Sequence, residues 1–278
     1  MKNFITRIIS GAVYVGCICC AVCFFDTIPA IYLLFFSLIT LLGVRECERL
    51  TCGNNPSSKV VTAIDMVGAV AIFVSFYFLG KYEQMQWMYL PILIYGLVRF
   101  NAQLYIKTQH AIASEQTSML NLLYVVLPLS LMSQICFMEH HMLLLSIFIF
   151  LWVNDSGAYL VGSTIGKHRL FERISPKKSW EGFWGGLVLT VAVGYVMGRY
   201  FNSLFHGPEP LLFAGLGLVV SVAGTLGDLA ESLMKRTANV KDSSHLIPGH
   251  GGILDRIDSL LFAVPAAIIY LIVIHYLS

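Results

Sequence analysis

The sequence predicts an all-α polytopic membrane protein with about nine transmembrane helices. Its 278 residues are 57% hydrophobic and 12% charged, and the mean hydropathy of +0.74 is far above that of an ordinary globular chain. The apolar residues form runs that match the roughly 20 residues of helix needed to cross a hydrocarbon core. A net charge of +2 gives no indication of a nucleic-acid partner, so the composition points to the lipid bilayer.

Each predicted span is an apolar run bounded by polar residues. The fourth is the weakest, because it is short and contains Pro91. The predicted spans are residues 4–25, 28–44, 60–79, 87–98, 119–137, 142–161, 183–200, 211–229 and 257–277.

The distribution of Lys and Arg predicts the orientation, since cytoplasmic loops carry the excess of both. With the N-terminus inside, only Lys81 and Arg199 fall outside and Arg256 lies at the start of the last span. All other Lys and Arg residues, Arg99 among them, then fall on the cytoplasmic side. The N-terminus is therefore expected to be cytoplasmic and the C-terminus extracytoplasmic. A short polytopic chain without organellar targeting suggests a bacterial inner membrane.

The first apolar segment has a second interpretation. Lys2 and Arg7 before an apolar run also resemble a secretory signal, and residues 14–17 resemble a lipoprotein cleavage site. The length of the segment and the spans after it favour an uncleaved helix. Its cysteines have no His or acid nearby, which favours small hydrophobic side chains over metal ligands: Cys17, Cys19, Cys20 and Cys23.

The two halves of the chain differ in chemistry. Residues 1–140 are expected to be a scaffold of transmembrane helices with short loops, and residues 141–278 a catalytic domain with charged loops on the cytoplasmic face. In the first half, a group of charges is predicted to be a solvated part of a loop: Arg45, Glu46, Glu48 and Arg49.

A first polar cluster, Asn154-Asp155-Ser156, lies inside the sixth predicted span, with Tyr159 one turn later. An ionisable group at membrane depth costs at least about 2.5 kcal/mol, so Asp155 is expected to face a polar cavity or a partner. The alternative is that neighbouring helices satisfy Asn154 and Asp155.

A second cluster precedes the seventh predicted span. Ser175 and Pro176 predict a helix start, because Pro tolerates the first turn and Ser can cap it. Free backbone donors beside Lys177, Lys178 and Ser179 would form an anion site. A basic patch attracted to anionic lipid is the alternative, and the two interpretations are compatible.

The third cluster begins where the eighth predicted span continues into the cytoplasm. Spacings of three, four and seven residues place four side chains on one helical face: Asp228, Glu231, Ser232 and Lys235. A glycine-rich loop follows, and Asp255 and Asp258 share a face at the start of the last span.

Carboxylates at two helix ends joined by a short loop suit a hard cation. Mg²⁺ is bound by one or two carboxylates together with substrate phosphates, which makes Asp228, Asp255 and Asp258 the candidate ligands. Gly251 and Gly252 would let the backbone approach a ligand closely. Cationic residues around the acids would bind the remaining phosphate charge: Lys235, Arg236, Lys241 and Arg256.

The third cluster resembles a known signature. The pattern of Ser232-x-Met-Lys-Arg236, Lys241-Asp242-x-Ser244 and Ile247-Pro-x-His250-Gly-Gly-Ile-x-Asp255-Arg-Ile-Asp258 is similar to that of the phosphatidate cytidylyltransferases. The segments Ser175–Gly182 and Asp155–Tyr159 resemble the same family. The likeness covers roughly the C-terminal half, while the N-terminal half matches only in being a run of spans.

The resemblance implies that CTP and phosphatidic acid react to give CDP-diacylglycerol and pyrophosphate, with Mg²⁺. It implies Asp228 and Asp255 as metal ligands, with Ser232, Lys235 and Arg236 in the polar cavity around them. It also implies a monovalent cation such as K⁺, and a homodimer as in many family members.

The expected chemistry is positioning and charge neutralisation. The second pKa of a phosphomonoester is near 6, as in phosphoserine, so the attacking phosphate is already ionised at neutral pH. The task is to hold two polyanions in line while pyrophosphate leaves. His250 either donates to the leaving group or orders the loop, and Asp242 is equally explained by an ion pair with Lys241.

Two other functions fit part of the pattern. A CTP-using polyprenol kinase would share the membrane setting, the metal and the nucleotide, but would release CDP. A transporter could line an ion path with intramembrane acids. The transporter explains less well the cationic clusters and the glycine pair gathered at one face.

Overall fold

The structure, a computed structural model, describes residues 2–53, 58–82, 86–106, 110–206, 208–244, 246–247 and 251–277. Helices dominate it, which confirms an all-α polytopic membrane protein. Within these ranges, seven helical segments are apolar and long enough to cross a membrane: Pro29–Cys52, Lys59–Tyr82, Ala111–Met138, His141–Ile165, Trp180–Tyr200, Pro210–Thr237 and Leu254–Tyr276. The first helix contributes a shorter apolar stretch, Ile9–Cys23.

The helices of the first half are α1 (Lys2–Cys23), α2 (Pro29–Cys52), α3 (Lys59–Tyr82), α4 (Gln86–Tyr105), α5 (Ala111–Asn121) and α6 (Leu127–Ile135). A π-helical turn, Leu122–Val126, joins α5 to α6, and a second one, Cys136–His140, precedes α7. The second half contains α7 (His141–Ile165), β1 (Arg169–Phe171), β2 (Ser175–Ser179), α8 (Trp180–Tyr200), α9 (Asn202–Phe205), α10 (Pro210–Thr237) and α11 (Leu254–Leu277).

The chain divides into two compact units. One comprises Met1–Phe137 with Thr237–Arg256, and the other comprises Met138–Arg236 with Ile257–Ser278. The loop after α10 and the first residues of α11 therefore belong to the same unit as the N-terminal helices.

The first unit has an aromatic core and a buried polar network. In the core, the ring of Phe25 lies 4.9 Å from that of Tyr32 and 5.0 Å from that of Phe137. In the network, the fully buried Arg99 lies 3.3 Å from Asp65 and 2.8 Å from Glu115.

The charge distribution suggested that Arg99 lies in a cytoplasmic loop. The structure instead buries it within the helices. Ser118 donates to Asp65 Oδ2 at 2.6 Å and Tyr95 donates to Oδ1 at 2.9 Å, so α3, α4 and α5 share one network. A charge in an apolar interior is tolerated only when it is paired and hydrogen-bonded, and two carboxylates provide that pairing here.

The charged residues at positions 45–49, which were predicted to lie in a solvated loop, lie on a helix instead. Helix α2 continues to Cys52 and buries Glu46 and Glu48, while Arg45 and Arg49 are exposed. Glu48 accepts a hydrogen bond from Thr62 Oγ1 at 2.7 Å. The expectation of a solvated loop was wrong because the acids find hydrogen-bond donors within the protein.

In the second unit, α7 and α8 approach closely through small residues. A Cβ added at Gly186 would lie 2.6 Å from the Asn154 carbonyl oxygen, and one at Gly157 would lie 3.1 Å from Gly186 Cα. Small residues are the usual means of close helix packing in membranes. The same applies to α10 and α11, where a Cβ at Gly227 would lie 2.5 Å from the Asp258 carbonyl oxygen.

The segment before α8 is a β-hairpin, so the predicted helix start at Ser175-Pro176 was wrong. Strands β1 and β2 are antiparallel, with Ser175 opposite Phe171. Helix α8 starts at Trp180 instead, and Ser179 caps it by accepting a hydrogen bond from Gly182 N at 3.1 Å. The cap is therefore four residues later than the Ser-Pro pair indicated, and Lys177 and Lys178 lie on an extended strand.

The close packing of α7 on α8 gives a testable prediction. We expect Gly186→Ala to lower the free energy of unfolding by about 1–3 kcal/mol, because the new methyl group collides with the α7 backbone. Thermal unfolding of the purified protein in detergent measures this change.

Gly96→Ala is the matched control, since no atom lies within 4 Å of the Cβ position at Gly96. That variant should be as stable as the parent or slightly more so, because Ala has the higher helix propensity. Equal effects of the two substitutions would contradict the packing account.

Candidate active site

A cavity of about 540 Å³ lies in the second unit, among α7, the β-hairpin, α8 and α10. Its charged and hydroxyl-bearing lining includes Asp155, Arg169, Lys177, Lys178, Ser179 and Asp228. Five of these were predicted from sequence as site residues, and the structure brings them into one cavity. Tyr159 and Phe183 add aromatic surface.

Asp228 contacts one residue of the hairpin and one residue of its own helix. Lys178 Nζ is 2.5 Å from Asp228 Oδ2, and Ser232 Oγ donates to Oδ1 at 3.2 Å. The contact with Ser232 follows from the spacing of four residues along α10. The hairpin supplies the lysine, so a strand residue and a helix residue form the ion pair.

The cationic end of α10 makes two further contacts, one within the helix and one with the hairpin. Lys235 forms an ion pair with Glu231, which is fully buried, and Arg236 Nε donates to the Ile174 carbonyl oxygen at 3.2 Å. The second contact connects the end of α10 to the turn of the hairpin. The predicted face of α10 is thus confirmed, with Lys235 neutralised by an acid on the same face.

Asp258 joins this group of charges from α11. Asp228, Glu231 and Lys235 all interact with it electrostatically, and its Oδ1 accepts a hydrogen bond from Ser259 N at 2.7 Å. Two of the three predicted metal ligands, Asp228 and Asp258, therefore have their carboxyl groups in the same region of the second unit.

In the polar cluster of α7, one interpretation applies to Asn154 and the other to Asp155. Asn154 is buried, and its amide group accepts from Ser221 Oγ at 2.6 Å and donates to Thr225 Oγ1 at 3.4 Å. A neighbouring helix therefore satisfies Asn154. Asp155 is exposed and lines the cavity, as expected of an acid that faces a polar space.

In the first unit, Asp255 organises the loop that precedes α11. Its Oδ2 accepts hydrogen bonds from Gly252 N at 2.7 Å, Ser243 Oγ at 2.8 Å and Ser243 N at 2.9 Å. Gly251 has φ of 83°, which favours glycine, and its carbonyl oxygen accepts from Ile247 N at 2.9 Å. Asp255 thus has a structural role that was not predicted from sequence.

Glu46 is the residue that sequence reasoning missed. Its carboxylate accepts hydrogen bonds from Ser244 Oγ at 2.6 Å and from Leu254 N at 2.8 Å, both in the loop and the helix start after α10. The available signal was spacing: Glu46 lies three residues after Gly43 and four before Leu50, which are both buried on α2. An acid on an apolar helix face requires a partner.

The remaining predicted residues are placed as follows. Lys241 and Asp242 are exposed. Arg256 is exposed, and its carbonyl oxygen accepts from Tyr14 OH at 3.2 Å. His250 lies outside the described residues.

Several proteins of known name are similar in sequence to part of this chain. The chain is 48% identical over 124 residues to a Haemophilus influenzae protein named phosphatidate cytidylyltransferase, a match that covers 44% of this chain and 43% of that protein. Proteins of the same name match at 48% over 118 residues in Bacillus subtilis (42% of each chain) and at 48% over 125 residues in Staphylococcus aureus (45% of this chain, 47% of that one). The similarity thus spans less than half of each relative.

A family profile covers far more of the sequence. Residues 5–274 match the family described as "Cytidylyltransferase family". The match includes both units and every residue discussed above as a site candidate. The chain belongs to the cytidylyltransferase family.

Proposed function

We propose that this protein is a phosphatidate cytidylyltransferase, which transfers the cytidylyl group of CTP to phosphatidic acid and releases pyrophosphate. The observation that carries the proposal is the cavity in which Lys177 and Lys178 of the hairpin meet Asp228 of α10. The names of the relatives indicate phosphatidate as the acceptor of a cytidylyl group, and the family match indicates the class of reaction.

The cavity suits a reaction between two polyanions. Lys177, Lys178 and Arg169 supply positive charge, which would attract the triphosphate and the lipid phosphate and hold them close together. The phosphate of phosphatidic acid is already ionised at neutral pH, so it can attack the α-phosphorus without a general base. In-line displacement then expels pyrophosphate, whose negative charge is stabilised by the same cations.

The donor set also fits a hard divalent cation. Asp228 and Asp258 of the second unit supply carboxylate oxygens, which Mg²⁺ prefers. Asp255 is the further ligand that the family resemblance implies. Bound Mg²⁺ would neutralise phosphate charge during displacement. A monovalent cation such as K⁺ is the second ion that the family resemblance implies.

Lys178 has two alternative partners in this proposal. Its ammonium group is paired with Asp228 at 2.5 Å. When substrate phosphates enter the cavity, Lys178 would turn to them and leave the Asp228 carboxylate to a cation. Lys178 thus keeps Asp228 paired while the cavity contains no substrate, which avoids an uncompensated charge.

The proposal includes a membrane arrangement. About nine spans, with the N-terminus in the cytoplasm and the C-terminus outside, would open the site toward cytoplasmic CTP in a bacterial inner membrane. Residues 141–278 would carry the chemistry and residues 1–140 would act as their scaffold. A homodimer would agree with the family resemblance.

The first prediction concerns the reaction itself. Purified full-length protein given CTP, phosphatidic acid and Mg²⁺ should form CDP-diacylglycerol and pyrophosphate in equal amounts, and chelation of the metal should stop both. Release of CDP with a prenol acceptor would favour a kinase instead. Cation uptake without any CTP dependence would favour a transporter.

Asp228→Asn should reduce turnover by a factor of at least about 100, since removal of a single charge-stabilising group commonly has an effect of that size. The measurement is kcat in detergent, together with thermal unfolding to show that the variant is folded. Glu209→Gln is the control, because Glu209 is exposed and is located between α9 and α10. Normal turnover in Asp228→Asn would remove its assignment as a metal ligand.

Lys178→Met should change metal and nucleotide binding in opposite directions. Without the competing ammonium group, Asp228 should bind Mn²⁺, a probe for Mg²⁺, more tightly in the absence of nucleotide, while CTP binds more weakly. Electron paramagnetic resonance measures free Mn²⁺, and equilibrium dialysis measures CTP binding.

The matched control is Lys177→Met, which removes a neighbouring lysine of the same strand. We expect it to weaken CTP binding and to leave Mn²⁺ affinity unchanged. Identical Mn²⁺ affinities in Lys178→Met and the parent protein would show that Lys178 does not compete for Asp228.

A further inference from the structure

Within the first unit, Glu46 connects α2 to the segment between α10 and α11. Glu46 is 3% exposed. The groups that it contacts are more than 190 residues later in the sequence. Each carboxylate oxygen accepts one hydroxyl and one backbone N–H. Oε1 accepts from Ser244 Oγ at 2.6 Å and Ile253 N at 3.1 Å, and Oε2 from Ser243 Oγ at 2.9 Å and Leu254 N at 2.8 Å.

Two of these donors belong to the N-terminus of α11. The first N–H groups of a helix have no partner within the helix, and they attract negative charge. Ile253 and Leu254 direct these groups at the two oxygens of Glu46. The Glu46 carboxylate therefore caps α11 from another helix, which fixes the direction in which the first turn begins.

Asp255 lies in that first turn, and Ser243 connects it to Glu46. The single hydroxyl of Ser243 is 2.9 Å from Glu46 Oε2 and 2.8 Å from Asp255 Oδ2. Gly252 completes the arrangement, because an added Cβ would collide with both Ser243 Oγ and Glu46 Oε2. A hydroxyl has one proton, so Ser243 donates to one of the two carboxylates at a time or divides a single hydrogen bond between them. Both carboxylates also lie against Gly252.

We propose that Glu46 is a positioning residue, whose carboxylate holds the loop and the first turn of α11 so that Asp255 is oriented for cation binding. This inference rests on the proposed function, in which Asp255 is a metal ligand. Glu46 does not contact the metal in this account. It acts through Ser243 and through the backbone of residues 253 and 254.

The test replaces the carboxylate with an amide of the same shape. Glu46→Gln keeps one acceptor oxygen and places an NH₂ group against donors, so the cap is lost on one side. We expect Mn²⁺ affinity to fall about 10- to 100-fold, as is usual when a group that orients a metal ligand is removed. Hydrogen exchange of the peptide containing residues 251–256 should become faster in the full-length protein.

Glu48→Gln is the matched control, because Glu48 is also a buried acid on α2 but accepts from Thr62 of α3. It should leave Mn²⁺ affinity and exchange of residues 251–256 unchanged. Ser244→Ala removes a donor to Glu46 at 2.6 Å and provides a milder variant in case Glu46→Gln does not fold. The expected effect of Ser244→Ala has the same direction and is smaller.

Asp255→Asn separates the two proposals. Weaker Mn²⁺ binding in both Asp255→Asn and Glu46→Gln supports the inference. Weaker binding in Asp255→Asn alone, with faster exchange in Glu46→Gln, would show that Glu46 only stabilises the loop and would overturn its positioning role. Unchanged Mn²⁺ binding in Asp255→Asn would remove the metal assignment itself, and the inference with it.

Discussion

A charge inside an apolar environment is expensive unless it has a partner, and this constraint accounts for most of the polar architecture of the chain. Arg99 is fully buried because Asp65 and Glu115 surround it. Asp228 is paired with Lys178. Glu46, also buried, takes hydroxyl and backbone donors in place of a cation. In each case the partner comes from a different element, so the pairing of charges also fixes how the elements pack.

Two of these pairings, one in each unit, involve residues to which we assign a role in the proposed function. The Lys178–Asp228 pair joins the hairpin to α10 across the cavity, and the Glu46 carboxylate joins α2 to the loop before α11. Both involve groups that carry formal charge before any substrate arrives. A site that binds polyanions and a cation must contain such groups, and internal partners make them compatible with a folded protein in the absence of ligand.

Much of this could be predicted from the sequence. The hydrophobic runs predicted the helices, and spacings of three and four residues predicted the face of α10 that carries Asp228 and Ser232. The signature pattern indicated the family, because it consists of particular residue types at fixed spacings within a short segment. These signals are local, and the spacing of nearby residues can be determined directly from the sequence.

The errors concern contacts between distant segments. Glu46 was expected in a solvated loop, and its partners are about 200 residues later in the chain. Arg99 was counted as a loop cation, since its two acids lie on other helices. The Ser-Pro pair at 175–176 suggested a helix start by local rules, whereas pairing with β1 keeps the segment extended. Tertiary partners decided each of these cases against a reasonable local preference.

The most direct test of the account follows the phosphorus atoms of the nucleotide. Purified protein is given phosphatidic acid, Mg²⁺ and CTP labelled with ³²P either at the α-phosphate or at the γ-phosphate. A cytidylyltransferase should move the α-label into lipid and the γ-label into pyrophosphate. Transfer of the γ-label to lipid, or no transfer of either label by folded protein, would contradict the proposed function.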